Sequence, residues 1–523
     1  MSKWQPGRSS QLLLALGESS VPASMPNEPK RLGKQMAARK SDHLIVPSKP
    51  GNAGGGKGVE PSRGEGPSPS ARRRGDTVAQ RLSHITQRAR SHPGEVFHNL
   101  AHHLDEAMFM ECYRELASGK APGVDGVTKA AYGENLDDNI GELVARLKRG
   151  AYHPQPSRRT EIPKGNGKTR ALGIPAFEDK LVQRGLVKVL ERVYEEVFVD
   201  TSFGFRPGRS GHDALKELSR VIGTKKVGYV VEADIRGFFD HVDHVDHDWL
   251  LKMLSHRVAD RRIHVLVKRF LRAGVLKGGR RLTTTMGTPQ GGVISPLLTN
   301  IYLHYVLDVW FAKVVKAHSH GEAYLVRYAD DFVVCFQHRA DAERFYGALP
   351  QRLGRFGLQV AEEKTRVIEF GRFARRDAAR RGERTAVFDF LGLTHYCGLS
   401  RKGRFKLKWR TSKERFRKSI QRFKQWLRAN RTLPLGEIWS RARATLRGHF
   451  GYYGVSDNGG WLMRYRLALV RLLYRWLNRR SQRSSFTAAR LQAYLKCYPL
   501  EAPRHLVNLN SWRVQEMVGS RIR

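Results

Sequence analysis

Val326-Arg-Tyr-Ala-Asp-Asp-Phe-Val333 places two adjacent acids between short apolar runs and is the most informative stretch of the chain. Side chains that favour strands flank these acids from Glu322 to Gln337, which predicts a β-hairpin with Asp330 and Asp331 at its tip. A third acid, Asp234, ends a separate apolar run that predicts another strand. We therefore expect three carboxylates to meet at one edge of a sheet.

Clustered carboxylates of this kind favour a hard divalent cation, because oxygen ligands suit Mg²⁺ and because bare carboxylates repel one another. Two Mg²⁺ ions about 3.5–4 Å apart can activate an attacking 3′ hydroxyl and hold a leaving pyrophosphate. Phosphoryl transfer needs little beyond such positioning and charge neutralisation. The pattern predicts two-metal nucleotidyl transfer, with Mn²⁺ as a substitute for Mg²⁺.

The composition points to a nucleic-acid partner. The 523 residues include 93 lysines and arginines against 49 aspartates and glutamates, a formal net charge of +44. Such a surplus repels itself unless a polyanion such as RNA or DNA neutralises it. No apolar run approaches the ~18 residues that span a bilayer, so we expect no membrane partner. We expect a cytoplasmic protein, in a bacterial-type cytosol, associated with the nucleoid or a ribonucleoprotein.

Cysteine spacing excludes two further classes of protein. The four cysteines lie far apart without a C-x-x-C pair, which argues against a disulfide scaffold and against a zinc ribbon.

Helical and strand patterns mix without regular βαβ alternation, which predicts the α+β class. We expect residues 1–80 to be a disordered basic extension, because the stretch from Pro47 to Gly75 is rich in Gly, Ser, Pro and Arg and has almost no large apolar residues. Residues 371–384 contain six arginines and predict a basic surface loop.

Four blocks appear in a fixed order and together resemble the group II intron-encoded reverse transcriptases, also called maturases, of the bacterial type. They are Ser202-Phe-Gly-Phe-Arg-Pro-Gly208, Gly287 to Tyr302, Tyr328-Ala-Asp-Asp331 and Phe388-Asp-Phe-Leu-Gly-Leu393. The resemblance implies a right-hand polymerase fold, with fingers and a palm built on an antiparallel sheet over residues 81–400. It implies an all-α thumb, or X domain, over 401–480, where apolar residues at every third or fourth position predict three helices. We expect residues 481–523 to be a short basic segment and a candidate for a reduced DNA-binding region, and without a Cys/His cluster we expect no HNH endonuclease domain.

The resemblance also implies roles for individual residues. The metal ligands would be Asp234, Asp330 and Asp331 with the Ile235 carbonyl, and Lys364 would protonate the leaving pyrophosphate. The nucleotide would be held by basic residues of an upstream Gly-rich loop, by a bulky ring and by an amide, namely Lys164, Arg170, Phe239 and Gln290. Nucleic acid would contact residues before and within the thumb, namely Leu391, Gly392, Arg447, Tyr452 and Tyr453.

The function implied is an RNA-directed DNA polymerase that also binds its intron RNA to assist splicing and mobility. Its partners would be an intron RNA template, a DNA primer or target and deoxynucleotide triphosphates; the oligomeric state stays open. Two alternatives remain at this point. One is a non-catalytic RNA-binding splicing factor, although the three acids argue against it. The other is a reverse transcriptase adopted by the host for defence or repair.

Overall fold

Helices and strands mix along the chain without regular βαβ repeats, which confirms the predicted α+β class. The computed structural model describes residues 77–165, 168–236, 246–277, 280–282, 291–480, 486–504 and 507–512. Its helices are α1 (Val78–Ser91), α2 (Glu106–Glu115), α3 (Lys129–Gly133), α4 (Leu136–Lys148), α5 (Phe177–Tyr194), α6 (Gly211–Thr224), α7 (His247–Ser255), α8 (Arg261–Arg272), α9 (Ser295–Leu303), α10 (Arg339–Gly354), α11 (Arg372–Arg380), α12 (Lys413–Ala429), α13 (Leu435–Tyr453), α14 (Gly459–Leu477) and α15 (Ala488–Cys497). None of these described helices is long and apolar enough to cross a membrane.

The strands form three separate sheets. They are β1 (Ser157–Gly165), β2 (Lys168–Ile174), β3 (Tyr229–Ala233), β4 (Val275–Lys277), β5 (Arg280–Leu282), β6 (Ala323–Tyr328), β7 (Asp331–Phe336), β8 (Arg366–Glu369), β9 (Val387–Phe390), β10 (Leu393–Leu399) and β11 (Phe405–Thr411). The strand orders are β2-β1-β4-β5, β6-β7-β3-β8 and β11-β10-β9. The second of these, the central sheet, carries the predicted acids.

The predicted hairpin is present in the central sheet, whose neighbouring strands all run antiparallel. Strands β6 and β7 pair from Ala323 opposite Phe336 down to Tyr328 opposite Asp331. Strand β3 pairs with β7 on one side and with β8 on the other. Because β3 lies between two strands, its side chains are mostly buried, which explains its nearly continuous apolar sequence.

In the β9–β10–β11 sheet, β9 and β11 alternate buried with more exposed side chains, whereas most residues of β10 are buried. Phe388, Phe390, Leu393 and Trp409 are buried on its inner face. Its strand β11 pairs with β10 from Thr411 opposite Leu393 onward. The boundary expected between residues 400 and 401 therefore divides a β-hairpin, and the first helix of the C-terminal part begins only at Lys413.

One segment that was expected to be a loop contains a helix. The basic segment 371–384, expected as a loop, contains helix α11, whose Ala374 and Ala378 are buried on one face. Alanine favours helices and the arginines occupy the exposed faces, so the basic composition concealed an amphipathic helix.

Residues 1–76 lie outside the described part, and α1 begins at Val78 after a capping box between Thr77 and Gln80.

Helices α12–α15 form a C-terminal helical bundle around a core that includes Phe423, Leu446, Leu469 and Leu491. The three helices predicted here are α12, α13 and α14, and α15 is a fourth that the sequence analysis did not predict. The chain then returns to the central part of the protein. We call residues 507–512 the return segment.

The return segment connects the helical bundle to helix α6. Its Val507 exchanges backbone hydrogen bonds with Gly454 and Ser456 at 3.1 and 3.2 Å. The Trp512 indole donates to the Ser219 hydroxyl of α6 at 3.1 Å. The described part of residues 481–523 is thus part of the fold, while DNA binding by this region stays a prediction.

Replacing Leu509 by Ala will lower the free energy of unfolding by about 2–5 kcal/mol, because its fully buried side chain would leave a cavity. Urea denaturation of the full chain measures this effect. Leu467→Ala is the matched control, since Leu467 is 44% exposed and should change stability by less than about 0.5 kcal/mol. Equal effects of the two substitutions would show that the return segment does not contribute to the folded core.

Candidate active site

Two of the three predicted carboxylates come together at the end of the central sheet. Ala233 of β3 lies opposite Phe332 of β7, so one further residue along each strand brings Asp234 beside Asp331. Ala329 and Asp330 form the two-residue turn of the hairpin, and Ala329 adopts a left-handed conformation with φ of 59°. The turn thereby holds Asp330 at the same end of the sheet.

The surroundings of Asp234 and Asp331 shift the pKa values of groups at this site. Burial and the charge of Asp234 raise the pKa of Asp331 to about 6, against the opposing influence of Arg415 and Lys364. The Lys364 ammonium donates to Asp234 Oδ2, and this bond raises the lysine pKa. The backbone fixes this contact, since Ala361 N–H donates to the Asp234 carbonyl at 2.8 Å and Lys364 N–H donates to the Ala361 carbonyl at 2.9 Å.

The carboxylates fit the predicted Mg²⁺ in their chemistry. Their oxygens are the hard ligands that Mg²⁺ prefers, and Mn²⁺ accepts the same ligand type. A divalent cation bound by Asp234 and Asp331 would remove the repulsion that raises the Asp331 pKa. Within the described ranges, no three His, Cys, Asp or Glu side chains are grouped as a ready metal cluster. Ile235 forms a bridge to Val360, and its carbonyl as a ligand stays a prediction.

A buried ion pair stabilises the hairpin turn that carries Asp330. Arg327 donates through Nε to Asp308 Oδ1 at 2.7 Å, and both side chains have zero solvent exposure. The same guanidinium donates to the Ala329 carbonyl at 3.0 Å and to Asn300 Oδ1 at 3.1 Å. Because Ala329 is in a strained left-handed conformation, these bonds fix the turn that presents the acids.

The block that begins at Ser202 packs directly against this turn. Phe203 N–H donates to the Arg327 carbonyl at 2.9 Å. A Cβ atom on Gly204 would lie only 2.3 Å from the Ala329 backbone nitrogen, so only glycine fits there. Asn300 donates to the Gly204 carbonyl at 2.7 Å and ties this contact to the Arg327 network. This explains in physical terms why the block contains glycine at this position.

The residues predicted to bind the nucleotide are only partly described. The backbones of Lys164 and Arg170 lie in the β1–β2 hairpin, but their side chains lie outside the described part, as does Lys168. Phe239 and Gln290 lie outside the described residues altogether. The next residue, Gly291, has φ of 106° and packs so closely on β2 that a Cβ would lie 2.3 Å from the Gly173 carbonyl oxygen. The described residue that follows Gln290 therefore packs against the β1–β2 hairpin.

The turn predicted to hold the primer is a tight connection between β9 and β10. Leu391 and Gly392 have φ of 50° and 75°, the combination of a two-residue hairpin turn. The Tyr452 hydroxyl donates to the Leu391 carbonyl at 2.9 Å. A Cβ on Gly392 would lie 2.9 Å from the Tyr453 hydroxyl oxygen. Both tyrosines thus position this turn through protein contacts, and their contact with nucleic acid stays a prediction.

Sequence reasoning missed Arg415 in the first turn of α12. Its guanidinium influences the Asp331 carboxyl, and its side chain lies against Gly392. The sequence near Arg415 indicates only a helix N-cap, in which the Ser412 hydroxyl accepts from Arg415 N–H at 3.4 Å. An N-cap does not predict which groups the Arg415 side chain contacts. Arg447 of α13 pairs with Glu501 at 2.9 Å, and its contact with nucleic acid stays a prediction.

Comparison with known proteins agrees with this arrangement. Residues 162–395 match the family described as reverse transcriptase (RNA-dependent DNA polymerase). This range contains both acidic sites, the hairpin and the turn at 391–392. The matched range, less than half of the chain, is therefore similar in sequence to reverse transcriptases.

Individual relatives narrow the class. The group II intron-encoded protein LtrA of Lactococcus lactis subsp. cremoris is 40% identical over 225 residues, which are 43% of this chain and 37% of that protein. Protein YkfC of Escherichia coli (strain K12) is 40% identical over 186 residues, 35% of this chain and 48% of the relative. The mitochondrial nuclear intron maturase 2 of Arabidopsis thaliana is 30% identical over 175 residues, 27% and 24% of the two chains. The chain spans less than half the length of these relatives, and its predicted resemblance to the group II intron-encoded reverse transcriptases is confirmed.

Proposed function

We propose that the chain is an RNA-directed DNA polymerase that extends a DNA primer on an RNA template with deoxynucleotide triphosphates. The observation that carries the proposal is the pairing of Asp234 with Asp331 at the sheet edge, inside the range that is similar to reverse transcriptases. Divalent cations held by these carboxylates and Asp330 would supply Lewis-acid activation of the primer 3′ hydroxyl and neutralise phosphate charge. Primer extension by the purified full chain tests this, and a complete absence of product would overturn it.

The protein side chains would perform the remaining tasks. Lys164 and Arg170 would grip the triphosphate, because ammonium and guanidinium groups bind phosphate oxygens strongly. Phe239 and Gln290 would line the nucleotide pocket. The close contact of Gly291 with β2 supports this assignment, since it brings the segment after Gln290 against the hairpin that carries the two basic residues.

Lys364 is the proposed proton donor. As the primer oxygen bonds to the α-phosphorus, the α–β bridging bond breaks and the leaving pyrophosphate gains a proton from the ammonium. The ion pair with Asp234 keeps the lysine charged and places it at the acids, while 63% of its side chain is exposed and free to reach substrate. General acid catalysis of this kind contributes about 10²–10⁴-fold.

Lys364→Met will therefore lower the single-turnover rate of nucleotide addition by about 10²-fold or more, with little change in primer–template affinity. Lys364→Arg will restore the charge without restoring the rate, because guanidinium does not release its proton at neutral pH. Rapid-quench kinetics at saturating nucleotide measures both. The exposed Lys148 at the end of α4 supplies the control variant Lys148→Met. A full rate for Lys364→Met would remove this residue from the mechanism.

We further propose that the protein binds a group II intron RNA and assists its splicing. The formal charge of +44 and the names of the curated relatives support this partner. Sequencing of RNA that co-purifies from native cells tests the assignment. Enrichment of one structured RNA that contains this coding frame supports an intron maturase. A mixture of cellular RNA contradicts a dedicated intron partner and leaves the polymerase proposal in place.

A further inference from the structure

The outer face of the β9–β10–β11 sheet carries mostly polar side chains that line two cavities, whereas its inner face is buried in the core. Val387, Asp389, Thr394, Tyr396 and Arg410 share this outer face, because the strand registers pair residue 387 with 396 and residue 394 with both 389 and 410. It forms the floor of a groove that begins beside the turn at residues 391–392. We call it the sheet groove.

Helices α11 and α12 line the two parts of the sheet groove. One cavity of about 460 Å³ is lined by Arg375 and Ala379 of α11 and by Arg384. A second cavity of about 530 Å³ is lined by Lys413 and Arg417 of α12. Val387 and Arg410 line both cavities, so the two lie next to each other on this face of the sheet.

The sheet groove carries unneutralised positive charge. The Asp389 carboxylate accepts from the neutral Thr394 hydroxyl and contributes one negative charge, whereas Glu414 pairs with Lys418. Glu383 likewise pairs with Arg381. Within the part of the chain that the structure describes, five cations of the groove form no ion pair: Arg375, Arg384, Arg410, Lys413 and Arg417. Five cations on this face of the sheet match a row of phosphates.

We propose that the sheet groove binds the phosphates of the primer strand in the product duplex, behind the turn formed by Leu391 and Gly392. The inference rests on the proposed polymerase function and adds α11, outside the helical bundle, to the duplex-binding surface. Val387 lies four positions before Leu391 along the chain, a distance of roughly 13 Å at ~3.3 Å per residue. At ~3.4 Å per nucleotide, the groove reaches phosphates about four nucleotides behind the primer end.

Removing the two α11-side arginines tests the proposal. Arg375→Ala with Arg384→Ala will reduce the slope of log affinity against log salt by about two for a 12-base-pair RNA–DNA duplex, since each lost phosphate contact contributes ~0.9. Between 50 and 200 mM salt, wild-type protein will then lose about tenfold more affinity than the variant. Arg375→Lys with Arg384→Lys will retain the wild-type slope, which separates charge from packing.

The matched control uses arginines of the same helix. Arg376 and Arg380 lie near Asp377 at 3.0 and 3.9 Å and do not line the sheet groove. Arg376→Ala with Arg380→Ala should leave the salt slope unchanged. Equal slopes for the control and the Arg375/Arg384 double variant would overturn the proposal.

Neutral methylphosphonate linkages identify the strand. Placed four to seven nucleotides from the primer end, they will weaken wild-type binding but not the binding of the Arg375→Ala/Arg384→Ala variant. The same linkages in the template will weaken both proteins equally. The reverse pattern would assign the groove to the template and overturn the inference. Binding is measured without nucleotides, so a wild-type protein that binds in this pattern yet never extends a primer would refute only the polymerase function.

Discussion

Replacing Asp234 by Asn will lower the rate of nucleotide addition by roughly three orders of magnitude. Metal-dependent stabilisation of the transition state amounts to several kcal/mol, and each ~1.4 kcal/mol is a factor of ten in rate. The asparagine keeps the size of the side chain but removes the charge that opposes Asp331 and that binds Lys364. Binding of RNA will change little, because its main source is the basic surface.

Single-nucleotide extension with Mg²⁺ or Mn²⁺ measures this effect, together with an RNA filter-binding assay. Glu369→Gln is a matched control, since Glu369 lies on the same sheet opposite Tyr229, at the far end of β3 from Asp234. Asp330→Ala should also abolish extension while RNA binding persists. Undiminished DNA synthesis by the Asp234 or Asp330 variant would refute the assignment of the active site and with it the proposed function.

The second large effect concerns stability. Arg327→Met will lower the free energy of unfolding by about 3–5 kcal/mol, because it leaves the Asp308 carboxylate buried without its partner. It also removes the donors to the Ala329 carbonyl and to Asn300, so we expect polymerase activity to be lost as well. Urea denaturation and primer extension measure the two consequences separately.

A double variant separates charge burial from support of the turn. Arg327→Met combined with Asp308→Leu removes both buried charges and should recover most of the stability, as hydrophobic replacements of buried pairs often do. Activity should not recover, because the left-handed Ala329 still lacks the donor to its carbonyl. Recovery of activity together with stability would show that the ion pair serves folding alone.

Local patterns predicted the parts of the structure that local interactions determine. The acidic hairpin follows from strand-forming residues around a two-residue polar turn, and β6 and β7 lie within the predicted range. The three predicted bundle helices follow from apolar residues every three or four positions. The nearness of Asp234 to Asp331 was also predictable, because both acids adjoin strand ends in a strongly apolar context.

Contacts between distant segments were not predictable in the same way. The hydrogen bond from Tyr452 to the Leu391 carbonyl joins residues 61 positions apart, and the spacing of apolar residues along the sequence does not predict such a contact. The same holds for Arg415, which reaches the acids only because α12 starts directly after β11. Helix α11 was missed for another reason. Its buried face consists of two alanines, and the many arginines around them make the segment look like a basic loop by composition.

The return segment makes the helical bundle and the central part of the protein depend on each other. The bundle is joined to the central part by the chain between β11 and α12, by the bond from Tyr452 to Leu391 and again by Trp512 on Ser219. Leu509 of the return segment is buried in one core with Leu215 of α6 and Trp409 of β11. A shortened chain that ended after α15 would therefore leave part of that core exposed to water.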